Sequence, residues 1–132
     1  FQAEDGIRSL CDWSSDVCSS DLIGYVSGLG GAVTQATSKS TGVTLNKPCG
    51  AITMHNASLA GDAEVTFTVT NSEVAATDVV LVSVKSGATT GKYLPFVTAT
   101  AAGSFDITVS NVGSTAGEAV VLNFAVIKAA AA

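Results

Sequence analysis

The chain has 132 residues, with eleven acidic and six basic side chains, a formal net charge of −5 and a hydrophobic share of 47%. This length fits one domain with its own core and is too short for two domains of ordinary size. No apolar run approaches the roughly 20 residues of a membrane-spanning helix, so membrane insertion is not expected.

The first 22 residues resemble a translated sequencing-library adapter. The strings QAEDGIR (2–8) and DWSSDVCSSDL (12–22) match the two ends of a common adapter, with a departure at Ser9. We therefore expect segment 1–22 to be an artefact of a metagenomic gene model whose natural start is missing. It should contribute no strand and pack little on the domain.

The remaining residues have five lysines, no arginine and six acidic side chains, a net charge of −1 (five minus six). This near-neutral balance excludes a basic face for nucleic acid or for a membrane surface. The lysines are spread out, and Lys39, Lys47, Lys85 and Lys92 are interpreted as solubilising side chains.

Two of the three cysteines, Cys11 and Cys18, and the single tryptophan, Trp13, fall in the adapter-like segment. Cys49 is then the one thiol of the remaining domain. A zinc site made from these cysteines and His55 fits none of the usual ligand spacings. We predict no metal site, no cofactor and no disulfide framework.

Residues 23–31 (IGYVSGLGG) have four glycines and no sustained period, a pattern that predicts a Gly-rich linker. The Gly28-x-Gly30 pair lacks the strand-turn-helix context of a dinucleotide-binding loop. Residues 32–129 form the predicted single domain. They contain no convincing 3.6-residue apolar stripe, so almost no helix is expected.

Short strands with turn signals between them are predicted throughout this domain. The eight predicted strands are 32–36, 42–45, 51–55, 64–70, 78–84, 93–100, 104–110 and 119–128. This series favours an all-β fold, a two-sheet antiparallel β-sandwich of jelly-roll-like or Greek-key type.

An internal echo recurs at an offset of forty positions. Residues 65–70 alternate between apolar and polar side chains and are followed by Asn71, and residues 105–110 alternate in the same way and are followed by Asn111. Further along, Asp78 precedes the apolar run VVLVSV, and Glu118 precedes the similar run AVVLNFAV. Two similar strand-turn-strand units would supply the halves of a sandwich and lie in related positions. The alternative is that alternating β sequence resembles itself by chance.

The alternation of apolar and polar residues assigns the faces of these strands. The core shared by the two sheets is predicted to contain Phe67, Val69, Val80, Val82, Phe105, Ile107, Leu122 and Phe124. Burial of Thr66, Thr68 and Thr108 instead would mean that the register is wrong by one residue.

The second strand of each unit is apolar on both faces. Val80, Val82 and Val84 oppose Val79 and Leu81, and Val120, Leu122, Phe124 and Val126 oppose Val121, Ala125 and Ile127. Such a strand is either central under a covering layer or part of a subunit contact. Burying a large apolar side chain stabilises by about 1.5 to 3 kcal/mol. We therefore expect a homo-oligomer in which Val79, Leu81, Val121 and Ile127 are covered.

These residues contain no catalytic constellation, and we assign no catalytic, cofactor-binding or metal-binding residue. His55 is the only histidine and no G-x-S-x-G motif occurs, so a Cys49–His55 nucleophile pair would lack an orienting third group. Acidic residues such as Asp62 and Glu64 mostly fall at turns and strand starts, where charge is expected for structural reasons. The chain is predicted not to be an enzyme.

Four segments, 30–60, 65–87, 101–111 and 118–129, carry a family resemblance, most distinctively in ATSKSTGVTLN and VAATDVVLV. They are similar to a recurrent family of small phage and prophage proteins that also occur as C-terminal modules of tail-fibre-like virion proteins. The resemblance covers essentially all of residues 30–129. It implies a β module located in the virion, suggests a trimer, and supplies no catalytic residues.

Two function classes follow. In the first, the chain is a non-enzymatic bacteriophage structural or adhesion module, a tail-fibre tip or capsid decoration. Loops at one end of the sandwich would bind other virion proteins or a host cell-surface glycan. In the second, it is an ancillary carbohydrate-binding-type domain of a depolymerase or secreted enzyme whose catalytic part is missing.

Overall fold

The computed structural model describes residues 24–130, which form eight β-strands and contain no helix. The strands are β1 (Gly30–Thr34), β2 (Val43–Thr44), β3 (Cys49–Thr53), β4 (Ala63–Thr70), β5 (Val79–Ser86), β6 (Tyr93–Ala101), β7 (Ser104–Asn111) and β8 (Val121–Ile127). Each corresponds to a predicted strand, with bounds that differ by at most two residues. The all-β prediction is confirmed. Within the described residues there is no helix long and apolar enough to cross a membrane.

The strands form two four-stranded sheets that pack on each other as a sandwich. Sheet A has the order β1-β3-β8-β5, and sheet B has the order β2-β4-β7-β6. Every connection passes from one sheet to the other except the β6–β7 hairpin. The central pairings are antiparallel, as expected, but β1 joins β3 in parallel and β2 joins β4 in parallel. Both sheets are therefore mixed.

The segments of the forty-residue echo are hydrogen-bonded partners in both sheets. In sheet B, β4 pairs with β7 and Phe67 lies opposite Ile107, whereas in sheet A β5 pairs with β8 and Ser83 lies opposite Asn123. Each of these pairs joins positions that are forty residues apart, so the counterpart segments of the echo lie side by side in antiparallel orientation in both sheets. The two units are not hairpins, because each places one strand in each sheet.

The core lies between the two sheets and has the predicted register. All eight predicted core residues belong to it, with Val82 only partly buried. Across the sheets, the rings of Phe105 and Phe124 have centroids 5.3 Å apart. Thr66 and Thr68 are exposed, but Thr108, on the outer face of sheet B, is buried. Thr108 lies on β7, which has a neighbouring strand on both sides. The Thr108 hydroxyl lies 2.7 Å from the Thr66 hydroxyl and 3.1 Å from the Thr98 hydroxyl.

The predicted linker 23–31 ends inside β1, because Gly30 and Gly31 belong to that strand. Close packing requires glycine at position 50, where a Cβ would meet the carbonyl oxygen of the paired Gly31 at 2.6 Å, whereas a Cβ on Gly31 would meet the Leu45 side chain, with Cδ1 at 2.8 Å. These glycines admit the Leu45 side chain. The adapter-like segment 1–22, with Cys11, Trp13 and Cys18, lies outside the described residues.

The residues of β5 and β8 that were expected to be covered in a homo-oligomer lie on the outer surface of sheet A. Val79, Leu81 and Ile127 are 49%, 54% and 46% exposed, and Val121 is half-buried. Val79 pairs with Ile127 across the two strands. No described residue forms a layer over this face.

Candidate functional site

The two ends of the sandwich differ in construction. Four connections, 35–42, 54–62, 87–92 and 112–120, meet at one end, here called the loop end. The opposite end, here called the terminal end, has the connections 45–48, 71–78 and 102–103. The first and last described residues also lie there, since the Tyr25 hydroxyl donates to the carbonyl of Val126 near the end of β8. Binding sites of β-sandwiches commonly occupy such loops.

A buried lysine ties three of the loop-end connections together. The Lys39 ammonium donates to the backbone oxygens of His55, at 2.6 Å, and Glu118, at 2.5 Å. Burial lowers the pKa of Lys39, an effect that the charge of Glu118 partly offsets. Lys39 was expected to be a solubilising lysine, which is wrong, because the residue is buried and its ammonium is used by two backbone carbonyls. No local sequence signal distinguished it from the other lysines.

Gln35 also holds connection 35–42 in place. Its amide nitrogen donates to the carbonyls of Lys39 and Thr41, both at 2.9 Å, and its amide oxygen accepts from the His55 N–H at 2.9 Å. All the polar atoms of this side chain are directed at the backbone. Connections 35–42 and 54–62 are therefore held in one arrangement.

Glu118 joins the remaining connections at the loop end. Its carboxylate accepts from the Thr89 N–H at 2.7 Å and the Thr89 hydroxyl at 3.0 Å, and lies 3.6 Å from the Lys92 ammonium. Burial alone would raise the pKa of Glu118, but the Thr89 hydrogen bonds and the charge of Lys92 outweigh it and lower the pKa. Burial, followed by the charge of Glu118, raises the pKa of Tyr93. The Tyr93 hydroxyl is buried without a hydrogen-bond partner among the described residues.

Asn111 supports the loop end from the last position of β7. Its amide nitrogen approaches the carbonyls of Leu59, Ala60 and Ser114 at 2.9, 3.1 and 3.0 Å, and its oxygen accepts from the Gly113 N–H at 3.0 Å. Asn71, its counterpart in the repeat, accepts from the Glu73 N–H and donates to the Lys47 carbonyl at the terminal end. The recurrence of Asn after both alternating segments was a sequence signal for these hydrogen bonds between an amide side chain and the backbone.

The exposed surface of the loop end is mostly polar and nearly uncharged, with Val112 as its one large exposed apolar side chain among the described residues. Its exposed polar side chains are Thr37, Ser40, Asn56, Ser58, Asp62, Thr89, Thr90, Ser114 and Thr115. Asp62 is the only carboxylate among them, and its backbone has a left-handed φ of 61°. Hydroxyl and amide groups are hydrogen-bonding partners suited to a neutral, hydroxyl-rich ligand.

The structure does not bring the weighed nucleophile pair together. Cys49 and Thr53 occupy opposite ends of β3, about 13 Å apart at strand spacing, and His55 lies two residues beyond Thr53. The imidazole Nδ1 of His55 accepts from the Ala57 N–H at 3.0 Å. In residues 24–130, no three His, Cys, Asp or Glu side chains are grouped as a metal site would require.

A concave feature crosses the outer face of sheet A. This shallow groove has a volume of about 910 Å³, and it is lined by small residues of β1, β3 and β8 and by side chains of β5, including Cys49, Ala51, Leu81, Ser83 and Ala125. It is open and mostly apolar, with no charged residue except Lys85. The groove therefore continues the exposed apolar face of β5 and β8.

Comparisons of the chain with protein-family models, with curated proteins and with solved structures found no match.

Proposed function

We propose that the protein is a non-enzymatic module of a bacteriophage virion, of the tail-fibre tip or capsid decoration type. In this role the loop end binds a host cell-surface glycan or another virion protein. The terminal end faces the rest of the particle.

One observation carries the proposal: the two ends of the sandwich differ in what they contain. Chain positions 24–30 and 127–130 lie at the terminal end, and four connections cluster at the loop end. The Lys39, Gln35 and Asn111 hydrogen bonds hold these connections before any ligand arrives. A preorganised surface binds with less loss of conformational entropy than a mobile one.

The chemistry of the loop-end surface favours a neutral ligand. Its exposed side chains are mostly hydroxyl or amide groups, and the ammonium groups of Lys39 and Lys92 are engaged with protein atoms. A glycan offers hydroxyl groups that match these donors and acceptors. This match supports a host surface polysaccharide as the ligand class.

Binding to immobilised bacterial lipopolysaccharides and capsular polysaccharides tests the proposal. We expect Thr90→Arg and Ser114→Arg, on two loop-end connections, to weaken binding at least about tenfold, the loss of about 1.4 kcal/mol. The matched control is Ala102→Arg, because Ala102 is also exposed but lies in the β6–β7 turn at the terminal end.

Two outcomes would contradict the proposal. Weakening by Ala102→Arg, with no effect of either loop-end variant, would place binding at the wrong end. Depolymerisation of a polysaccharide by the chain, abolished on changing Asp62 or Glu64 to the amide, would move the protein into the enzyme class.

A further inference from the structure

The outer face of sheet B carries an exposed aromatic ring. Phe96 of β6 is 42% exposed, whereas the other three phenylalanines of the described chain belong to the core. Phe96 lies directly opposite Thr108 of β7, which in turn lies opposite Thr66 of β4. Directly opposite residues of antiparallel strands point to the same face of a sheet. The ring therefore stands beside the threonines of β7 and β4.

Three threonine hydroxyl groups form a hydrogen-bonded row across this face. The central hydroxyl, of Thr108, contacts those of Thr66 and Thr98, so the row joins β4, β7 and β6. Thr108 is buried, whereas Thr66 and Thr98 are exposed and present the row to solvent. Each hydroxyl carries one proton, and the two contacts within the row use two of the three protons. One proton and several lone pairs therefore remain for a ligand.

A β-bulge in β6 places Thr98 in this row. Val97 pairs with Ile107 and Ala99 pairs with Asp106, which leaves Thr98 without a residue opposite it. Such bulges re-aim side chains and are common next to functional sites. The bulge also brings the small side chain of Ala99 opposite the Asp106 carboxylate, at the position that Thr98 would occupy in a regular strand.

The charge of this face is negative. The strands of sheet B contain two carboxylates, Asp106 and Glu64, and no lysine or arginine. One oxygen of Asp106 accepts from the Thr68 hydroxyl at 2.7 Å, and no described residue donates to the other oxygen. An ionised carboxylate only accepts hydrogen bonds, so a ligand here must supply donors. An anionic ligand, such as a nucleic acid or an acidic polysaccharide, would be repelled.

We propose that this face binds a neutral oligosaccharide, a chain of pyranose units with equatorial hydroxyl groups such as β-linked glucose. The binding site, here called the sheet B site, consists of Phe96, Thr66, Thr98 and Asp106. A sugar ring of this kind has an apolar face of axial C–H groups, which packs on the face of the Phe96 ring. Its hydroxyl groups donate to Asp106 and exchange hydrogen bonds with the threonine row. Apolar or aromatic surface with a few convergent polar groups is the usual composition of a small-ligand site.

The dimensions of the sheet B site suit two linked sugar units. Strands β4 and β6 lie on the two sides of β7, two strand spacings or about 10 Å apart. A sugar ring on Phe96 therefore has Asp106 beside it, and the next ring reaches Thr66. Threonine is common on exposed strands, so the threonines alone would indicate no ligand. Their hydrogen-bonded row beside an exposed phenylalanine and an open carboxylate oxygen favours a sugar.

The sheet B site is separate from the loop end. None of its four side chains belongs to connections 35–42, 54–62, 87–92 or 112–120. A change in one of these connections, such as Thr90→Arg, therefore leaves the sheet B site intact. Failure of ligand binding at one site does not imply failure at the other, and the two sites can be tested separately.

Titration of the full chain with cellohexaose, a neutral chain of β-linked glucose, tests the proposal through the chemical shifts of backbone amides in NMR spectra. We expect shifts at the residues of the sheet B site and none at the loop end or on sheet A. Hexagalacturonate, a chain of the same length with a carboxylate on each ring, is the control probe. It should not bind, because Asp106 repels its charges.

Two pairs of variants test the roles of the ring and the carboxylate. Phe96→Ala should weaken cellohexaose binding at least about tenfold, whereas Phe96→Tyr should retain binding because the ring remains. The matched control is Leu81→Ala, which removes a similarly exposed apolar side chain from the outer face of sheet A. Asp106→Asn should weaken binding at least about threefold, since a neutral acceptor replaces a charged one. Glu64→Gln, outside the sheet B site, should have no effect.

Several results would overturn the proposal. These are an absence of shifts at millimolar cellohexaose, shifts confined to the loop end or to sheet A, and an affinity that Phe96→Ala leaves unchanged. Shifts of the same amides with protein concentration in the absence of sugar would also overturn it, because a second copy of the chain would then occupy this face. Should Phe96→Ala fail to fold, the comparison of Asp106→Asn with Glu64→Gln decides the question.

Discussion

Single buried polar side chains determine how the connections are held in this molecule. Asn71 and Asn111 are both fully buried, and each satisfies backbone groups of the connection that follows its strand. A buried carbonyl or N–H that loses its partner costs about 1 to 3 kcal/mol. These two amides therefore contribute to stability through the backbone groups that they satisfy.

Replacement of Asn111 by alanine should destabilise the domain by about 2 to 4 kcal/mol. The change leaves the carbonyls of Leu59 and Ala60 and the Gly113 N–H without their side-chain partner. Urea denaturation measures the loss. Ser114→Ala is the control, because the Ser114 side chain is exposed and only its carbonyl is used, so its effect should stay within about 0.5 kcal/mol. Equal effects of the two changes would show that the Asn111 side-chain hydrogen bonds do not stabilise the domain.

Asp78 makes stability depend on pH in the acid range. Its carboxylate is almost inaccessible to solvent, and accepts from the Lys128 ammonium at 2.6 Å and the Ala75 N–H at 2.8 Å. The hydrogen bond from Lys128, followed by that from Ala75, lowers the pKa of Asp78, although burial opposes the shift. A carboxylate with a lowered pKa in the folded state binds protons less readily there than in the unfolded state. Its contribution is complete above about pH 4 and is lost as pH falls through the folded-state pKa.

The variant Asp78→Asn should therefore unfold at a lower urea concentration than the wild type at pH 7, and its midpoint should fall less between pH 5 and pH 2. Urea midpoints measured across this range test the prediction. Glu73→Gln provides the control, because the Glu73 side chain is exposed and only backbone atoms of this residue form hydrogen bonds. An unchanged pH dependence in Asp78→Asn would contradict the prediction.

At the scale of the elements, the connection between β5 and β6 depends on close backbone packing at Gly87. Gly87 and Gly91 have nearly the same left-handed φ, 77° and 75°, but a Cβ on Gly87 would meet the Ala119 carbonyl oxygen at 2.6 Å, whereas one on Gly91 would meet nothing within 4 Å. The two positions thus share the conformational requirement and differ in the available space.

Gly91→Ala should cost about 1 to 2 kcal/mol, the strain of a left-handed alanine. Gly87→Ala should cost clearly more, because the backbone at Ala119, just before β8, must also move away from the new methyl group. Thermal or urea unfolding of the two variants measures the difference. Equal losses would mean that conformation alone accounts for the glycine at position 87.

Strand positions were predictable, whereas strand partners were only partly so. Alternation placed Phe67, Ile107 and Leu122 in the core, because side chains on a strand have a period of two residues. The same alternation is generic, so it left open whether the echo was a repeat or a coincidence. It also gave no sign that β1 and β2 join their sheets in parallel. Those pairings depend on connections that switch sheets, and these leave no periodic pattern.

The loop-end network was less predictable than the core. Lys39 and Gln35 lie among small polar residues, in a segment typical of a solvated turn, and their partners at His55 and Glu118 are distant in sequence. Long-range contacts between side chains and backbone carbonyls have no spacing rule. The paired Asn positions of the echo were the one sequence signal that pointed to such contacts.

At the scale of the whole molecule, the sandwich places different chemistry on its different surfaces. The loop end is polar and held by buried hydrogen bonds, the outer face of sheet A is apolar beside β5, and the outer face of sheet B is rich in threonine. The polar loop end and the apolar outer face of sheet A are separate surfaces of the sandwich.

The order of the strands also determines how this molecule acquires its fold. Among the eight described strands, the β6–β7 hairpin, closed by Ala102 and Gly103, is the only pairing between consecutive strands, whereas Phe67 and Ile107 must meet across forty residues of chain. Loop closure over such separations loses entropy before any contact compensates for it. Folding in milliseconds to seconds is expected, the range of β-sandwiches. We expect the hairpin to form earliest and β5 to pair with β8 late, which would leave both apolar strands open to other chains while the sheet is incomplete.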